Sequence, residues 1–420
     1  MISPLIRGVL VIILFFSAIF LFCYKNLRGD SLVSSCKAYV MFLAISTPLL
    51  HMCIAFFDSA LKISVFGFTS FVFILLNLRL FRHIPKKYLK FTAIFILILV
   101  INSLMGQFIV NSFFEILYRL DGFVLLFAVY YLVTKGKVKV IIKGLYILTA
   151  YVAIWTLIQH FISEDFTLYY LNRVVDDRKP SIFDEAQSAG CGIAMLIVWL
   201  WNIYLKSKRL STLLVIGILL FVGGLTGSKV FLLGLVAGVA LATIYSNLGI
   251  KTVLLILSVA VTIFATQDYW LELPVFKRMQ EMDSSYDLRS SYFWYRAYLL
   301  FLKFPIFGIG IGNFYLYNKY HGLNMHYPNG ELATQPESGY MMMLDEMGLL
   351  SLIYVFMIGY LMYRKGNNIF NFSIIVPWLV SFVSLYNLGN QNIYYMLFLF
   401  GGMILATADM VPRKTMKLRR

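Results

Sequence analysis

Charge is what this 420-residue chain has least of. Asp, Glu, Lys and Arg make up 13% of it, against roughly 25% in soluble domains. Hydrophobic residues make up 60%, and the mean hydropathy is +0.79. No water-soluble core hides that much apolar surface, which excludes a soluble enzyme or binding domain. Cysteine is scarce too. Cys23, Cys36, Cys53 and Cys191 have no paired spacing and lie mostly in apolar segments, which excludes a disulfide framework and a zinc ribbon. The histidines (51, 83, 160, 321 and 326) lack metal-ligand spacing, so no metal site and no cofactor are expected. Also absent are an A-x-A-like cleavage site after "GVLVIILFFSAIFLF", a G-x-x-x-x-G-K-[ST] loop, internal repeats and low-complexity tracts. The first apolar segment therefore reads as a retained helix. Without an inverted repeat, a secondary transporter is disfavoured.

What the chain does have is long apolar runs. A helix needs about 20 such residues to cross the hydrocarbon. Runs near 8–24, 38–57, 63–81, 91–110, 113–133, 141–162, 186–205, 210–225, 229–248, 252–266, 338–363, 370–387 and 392–410 qualify. The expectation is one integral membrane domain over 1–420: an all-α polytopic protein of about 12–14 transmembrane helices. Lys and Arg in the short loops set the orientation. With "PRKTMKLRR" in the cytoplasm, the basic loops "RHIPKKYLK", "KGKVKVIIK" and "KSKR" fall on the same side. The +16 charge is then explained by topology, and no nucleic-acid partner is expected. The basic tail can also touch anionic membrane lipid.

Two stretches break the apolar rhythm, 163–185 and 267–337, and this topology puts both outside. The second is too long for a plain connector, and such loops are usually functional. It carries "SSYFWYRAYLLFLKFP", a short amphipathic segment suited to the outer membrane interface.

Candidate chemistry gathers around those stretches. In "GGLTGSKVFLLGL" a turn breaks one apolar run into two, and Lys229 opens the second. A cation beside free helix N–H groups makes an anion site, although a capped turn with a snorkelling Lys explains the same residues. Arg173, Arg178, Arg278, Arg289 and Arg296 all fall in the two polar stretches. Arg grips phosphate with a planar fork of donors, while neighbouring Asp residues offer plain salt bridges. Asp184 and Glu185 stand at the entrance of one helix and Glu337 at another. Such acids either stabilise the helix terminus or act as general base and sugar ligand. Asp345 and Glu346 lie deeper and should be structural, paired inside the bundle.

Three pieces in order, "LTGSKVFLLGL", "W-Y-R-A-x6-F-P-I-F-G-I-G-I-G-N-F" and "E-S-G-Y-M-M-M-L-D-E-M-G-L-L", together resemble the bacterial O-antigen polymerase and O-antigen ligase family. "RKPSIFDEAQSAG" is similar to a weaker family pattern. The resemblance implies a multi-helix membrane glycosyltransferase of the bacterial inner membrane, metal-independent, with its site facing the periplasm. It implies undecaprenyl-pyrophosphate-linked oligosaccharide as substrate, and a chain-length-regulator protein is a candidate partner. The roles expected are Glu337 as base, Arg289 as the catalytic cation, and Lys229, Arg296, Arg178, Glu185 and Arg278 binding pyrophosphate and sugar. Two positions depart from the family pattern: Lys229 stands where Arg is usual, and Arg289 lies five residues ahead of Trp294 where four is usual. Ligases typically carry His where Glu337 falls, so the polymerase branch is favoured. A ligase, or a flippase of lipid-linked oligosaccharide, is the alternative.

Overall fold

The computed structural model describes residues 31–49, 53–56, 61–162, 178–183, 185–245, 289–326, 330, 332–362, 369–384 and 391–410. The expected spans at 8–24 and 252–266, most of the first polar stretch (163–177, with Arg173), the first part of the second (267–288, with Arg278), Asp184 and the basic tail lie outside the described residues.

The protein is a helical membrane protein. Five described helices are long and apolar enough to cross a bilayer. In chain order the helices begin with α1 (Leu32–Ile45) and α2 (Val65–Leu76), separated by a short antiparallel hairpin, β1 (Cys53–Phe56) and β2 (Leu61–Ser64), in which Cys53 pairs with Ser64. Then come α3 (Lys86–Met105), α4 (Ile109–Thr134), α5 (Val138–Phe161), α6 (Ala186–Ser207), α7 (Leu210–Leu225) and α8 (Lys229–Tyr245). A π-helical turn, Arg289–Trp294, runs into α9 (Tyr295–Lys303), followed by α10 (Phe314–His321), α11 (Gly339–Met347), α12 (Leu350–Met362), α13 (Val376–Ser381) and α14 (Gln391–Met410).

Burial separates these helices into centre and rim. The apolar windows of α4, α6 and α14 are each 83% buried, those of α3 and α5 only 28% and 39%. A helix apolar all round belongs inside, and one with a free apolar side faces lipid. On α3 that side is Ile94, Leu97, Ile101 and Leu104, all exposed. Between the central helices, polar groups satisfy one another. Tyr394 on α14 donates its hydroxyl to the Arg119 carbonyl on α4 at 2.5 Å. Asn202 on α6 donates to Ser373 Oγ at 3.1 Å and accepts from Asn371 at 2.9 Å. In lipid an unmade bond at those groups would cost several kcal/mol.

Four expected spans are broken: in 38–57 α1 ends at Ile45 and β1 follows at Cys53, and in 63–81 α2 ends at Leu76 before a 3₁₀ turn at Leu78–His83. The run 338–363 is two helices, α11 and α12. The break is at Gly348, with φ 58, where an added Cβ would lie 2.6 Å from the Ile306 carbonyl carbon. The Leu349 N–H donates there to the Pro305 carbonyl at 2.8 Å, so tertiary packing interrupts a sequence apolar enough to continue. The run 370–387 is a 3₁₀ turn leading into the six-residue α13, with Pro377 in its first turn. Proline is tolerated there because those N–H groups have no helical partner.

The segment 289–338 forms its own layer. Phe293, Leu300, Ile309, Phe314, Tyr317, Met325, Ala333 and Met342 make a second apolar cluster apart from the main one. The segment expected as a loop therefore has a core of its own, joined to the helical bundle through α11, the end of α3 and the start of α4.

Candidate functional site

Glu337 sits immediately before the N-cap of α11. Ser338 caps the helix: its Oγ accepts from the Met341 N–H and donates to the Phe382 carbonyl, both at 3.4 Å. The Gly339 N–H donates to the same carbonyl at 2.8 Å. This fastening holds Glu337 at φ 53, in the left-handed region, which costs a non-glycine residue about 1–2 kcal/mol. A strained residue held by its surroundings marks a candidate functional position.

The Glu337 carboxylate meets Arg289 across 48 residues of sequence. Arg289 Nη2 lies 3.4 Å from Glu337 Oε2, and each side chain is 20% exposed. Arg178 contributes a third charge. Burial pushes the Glu337 carboxyl above its ordinary value, while Arg289, by charge and hydrogen bond, and Arg178, by charge, pull it down; burial prevails.

Arg178 is held by the turn between α7 and α8. Its Nε donates to the Thr226 carbonyl at 3.3 Å, and the neighbouring Lys179 N–H donates to the Leu225 carbonyl at 3.2 Å. The turn is built by Thr226, whose Oγ1 donates to the Gly223 carbonyl at 2.7 Å and accepts from the Ser228 N–H at 3.3 Å. Lys229 opens α8 directly after it, its ammonium buried. Ser228 presses on α6 at Gly190, where an added Cβ would lie 2.6 Å from Ser228 Oγ. The start of α8 and the start of α6 are thereby brought side by side.

Of the residues singled out in the sequence, Glu337, Arg289 and Arg178 are thus brought together, with Lys229 on the turn that holds Arg178. Two others are engaged elsewhere. Arg296 Nη1 donates to the Leu323 and Asn324 carbonyls at 2.7 and 2.6 Å, and its guanidinium lies 4.5 Å from the Tyr292 ring centre. Glu185 is the N-cap residue of α6 and accepts from Ser188 Oγ at 3.3 Å. Arg278 lies outside the described residues.

No family model matches the chain. No curated protein is significantly similar to it in sequence.

The far end of α11 is a different kind of site. Glu346 is fully buried. Its carboxylate accepts the Phe314 N–H at 3.3 Å and that of Gly312, near the Arg119–Glu115 pair. The "FGIGIGNF" run wraps this end of the helix. The N–H groups of Ile309 and Gly310 donate to the Asp345 and Glu346 carbonyls, each at 2.9 Å. Gly308, Gly310 and Gly312 all have positive φ, and Cβ atoms there would collide with the α11 backbone, Asn313 and Glu115 respectively. Asn102 on α3 closes the clasp: it donates to the Phe307 and Glu346 carbonyls at 2.6 and 2.9 Å and accepts from the Ile311 N–H at 2.9 Å. Asp345 departs from its expected pairing. Both of its side-chain oxygens are buried with no hydrogen-bond partner among the described residues, and only its backbone carbonyl is engaged, by the Ile309 N–H.

Sequence reasoning passed over Asn102, Asn313, Tyr292 and Lys179. A polar amide in an apolar span is a visible signal for Asn102. Tyr292 gives no such signal: its hydroxyl donates to the Asn324 carbonyl and accepts from the His326 N–H only because the loop returns to it.

Proposed function

We propose that this protein is an inner-membrane glycosyltransferase that polymerises oligosaccharide repeat units carried on undecaprenyl pyrophosphate, working at the periplasmic face. The single observation that carries the reading is the Arg289–Glu337 pair with Arg178 beside it, drawn from three distant segments. One acid and two guanidinium groups in a partly open site suit an acceptor hydroxyl and a pyrophosphate leaving group.

The chemistry needs no other component. Glu337 takes the proton of the acceptor hydroxyl, and the freed oxygen attacks the anomeric carbon of the donor sugar. The bond from that carbon to the pyrophosphate oxygen breaks, and the electron pair leaves on undecaprenyl pyrophosphate. Arg289 and Arg178 offset the charge that develops there, with Lys229 as a further cation on the same side. Binding also primes the base. When Arg289 turns to the pyrophosphate, Glu337 loses the partner that holds its proton affinity down, and the buried carboxylate becomes a stronger base.

The strain lacking this chain decides the branch. A polymerase deletion leaves lipid A-core bearing a single repeat unit. Bare core with accumulated lipid-linked polymer would assign a ligase, and bare core without polymer a flippase.

A further inference from the structure

Helix α9 is apolar on two opposite sides, and among the described residues only one packs against the fold. Ala297 and Leu300 are buried, and the helix packs by that side toward α11. Tyr295, Tyr298, Leu299 and Leu302 follow the i, i+3, i+4, i+7 spacing of a single stripe and are 47–57% exposed. At 100° per residue the two sides are about 180° apart. An amphipathic helix that only packed on its own protein would be polar there.

We propose that this outer stripe of α9 is the docking surface for the polyprenyl chain of the lipid-linked donor whose pyrophosphate meets Arg289. The inference rests on the function proposed above and extends it to the lipid portion of the substrate. Two features of the structure argue for this occupant. The first is the order of chemistry along one element. Arg289 begins the π-helical turn that runs into α9, so this residue precedes Tyr295, the first of the stripe, by roughly 9 Å at about 1.5 Å per residue. A cation followed by an apolar track complements an amphiphile with an anionic head. The second is continuity. Beyond the stripe Ile306 is 56% exposed, and the Leu349 N–H bonded to Pro305 brings the start of α12 alongside. Leu349, Leu352 and Phe356 carry the exposed apolar surface onward. A chain laid along α9 meets exposed apolar residues again at Ile306 and on α12, with tyrosine at the end nearest the head, where amphipathic rings suit a membrane interface.

Two measurements on the full-length protein test this. In the first, a benzophenone amino acid replaces Tyr298 or Leu302 in membranes containing undecaprenyl pyrophosphate, and the protein is irradiated. An adduct carrying the mass of undecaprenyl pyrophosphate is expected, rising to saturation with its concentration; adducts to phospholipid alone would overturn the proposal. In the second, Leu299→Ser and Leu302→Ser are assayed on full-length and on geranyl-length donors. Each lost apolar contact should raise KM for the full-length donor about tenfold, with a much smaller rise for the short one. Equal shifts on both donors, or no shift, would overturn the docking. A wild-type protein that polymerises neither donor would defeat the catalytic reading, and the crosslink would still decide the surface.

Discussion

The two ends of α11 carry the same chemical group and put it to opposite uses. At the N-terminal end Glu337 is one-fifth exposed, strained, and faces side-chain cations from segments far away in sequence. About 13 Å along the helix, at ~1.5 Å per residue, Glu346 is fully buried and takes backbone N–H groups from a turn wrapped around it. Backbone donors cannot leave; side-chain cations can turn to a ligand. An acid fixed by backbone belongs to the architecture, and an acid balanced by mobile guanidinium groups, with a path to solvent, is available for chemistry.

The largest effect that sharpens this contrast is expected at the clasp. Gly308→Val forces a β-branched residue into a left-handed conformation against the α11 backbone. That should cost upward of about 3 kcal/mol. Folded protein should be lost from membranes, as read by abundance and by thermal unfolding in detergent. Normal abundance would show that the glycines do not hold the clasp.

Glu337→Gln should do the reverse. Abundance and thermal unfolding should stay near wild type, while polymer ladders fall by about 10²-fold or more. Wild-type ladders would remove Glu337 from the role of base. The same residue sets the pH dependence. Its proton affinity is raised in the folded protein, so the rate should climb with pH through a midpoint above the ordinary glutamate range. A raised carboxyl also contributes stability at low pH that is lost as pH rises through the folded value. A pH–rate profile that is flat there would separate Glu337 from proton transfer.

Third in size is a pair of exchanges. Arg289→Lys keeps the charge and loses the fork, so activity should drop about tenfold. Lys229→Arg keeps a cation and should cost less. Equal losses in a ladder assay would show that the guanidinium geometry at Arg289 is unimportant.

Smallest is Glu346→Gln. The amide oxygen still accepts the Phe314 N–H, and the lost charge near Arg119 should lower stability by about 1–2 kcal/mol, with ladders retained. Loss of ladders at full stability would make the two ends of α11 alike and break the comparison.

Much of this was legible in the sequence, and for identifiable reasons. The stretch 113–133 reads as a span because its apolar run is long, and it lies within α4 (Ile109–Thr134). Glu337 stood out because an acid interrupts an apolar region, and "LTGS" because a turn breaks one. Arg296 carries the same signals as Arg289, yet it is turned onto the Leu323 and Asn324 carbonyls. Nothing local distinguishes the two arginines; the returning loop does. The run 338–363 reads as one helix because hydropathy does not register the Pro305–Ile306 backbone packed at Gly348.

By itself, then, the sequence determined the solvent this chain lives in, the placement of its long helices and the few segments where charge is tolerated. Composition and periodicity decide those, since each residue pays its transfer energy wherever it sits in a span. Only the tertiary structure decided that Arg178, Arg289 and Glu337 meet, that Arg296 does not join them, and that the glycine run clasps Glu346. Those contacts join residues 27 or more apart in sequence, 48 for Arg289 and Glu337, and they exist only once the bundle and its outer layer are packed together.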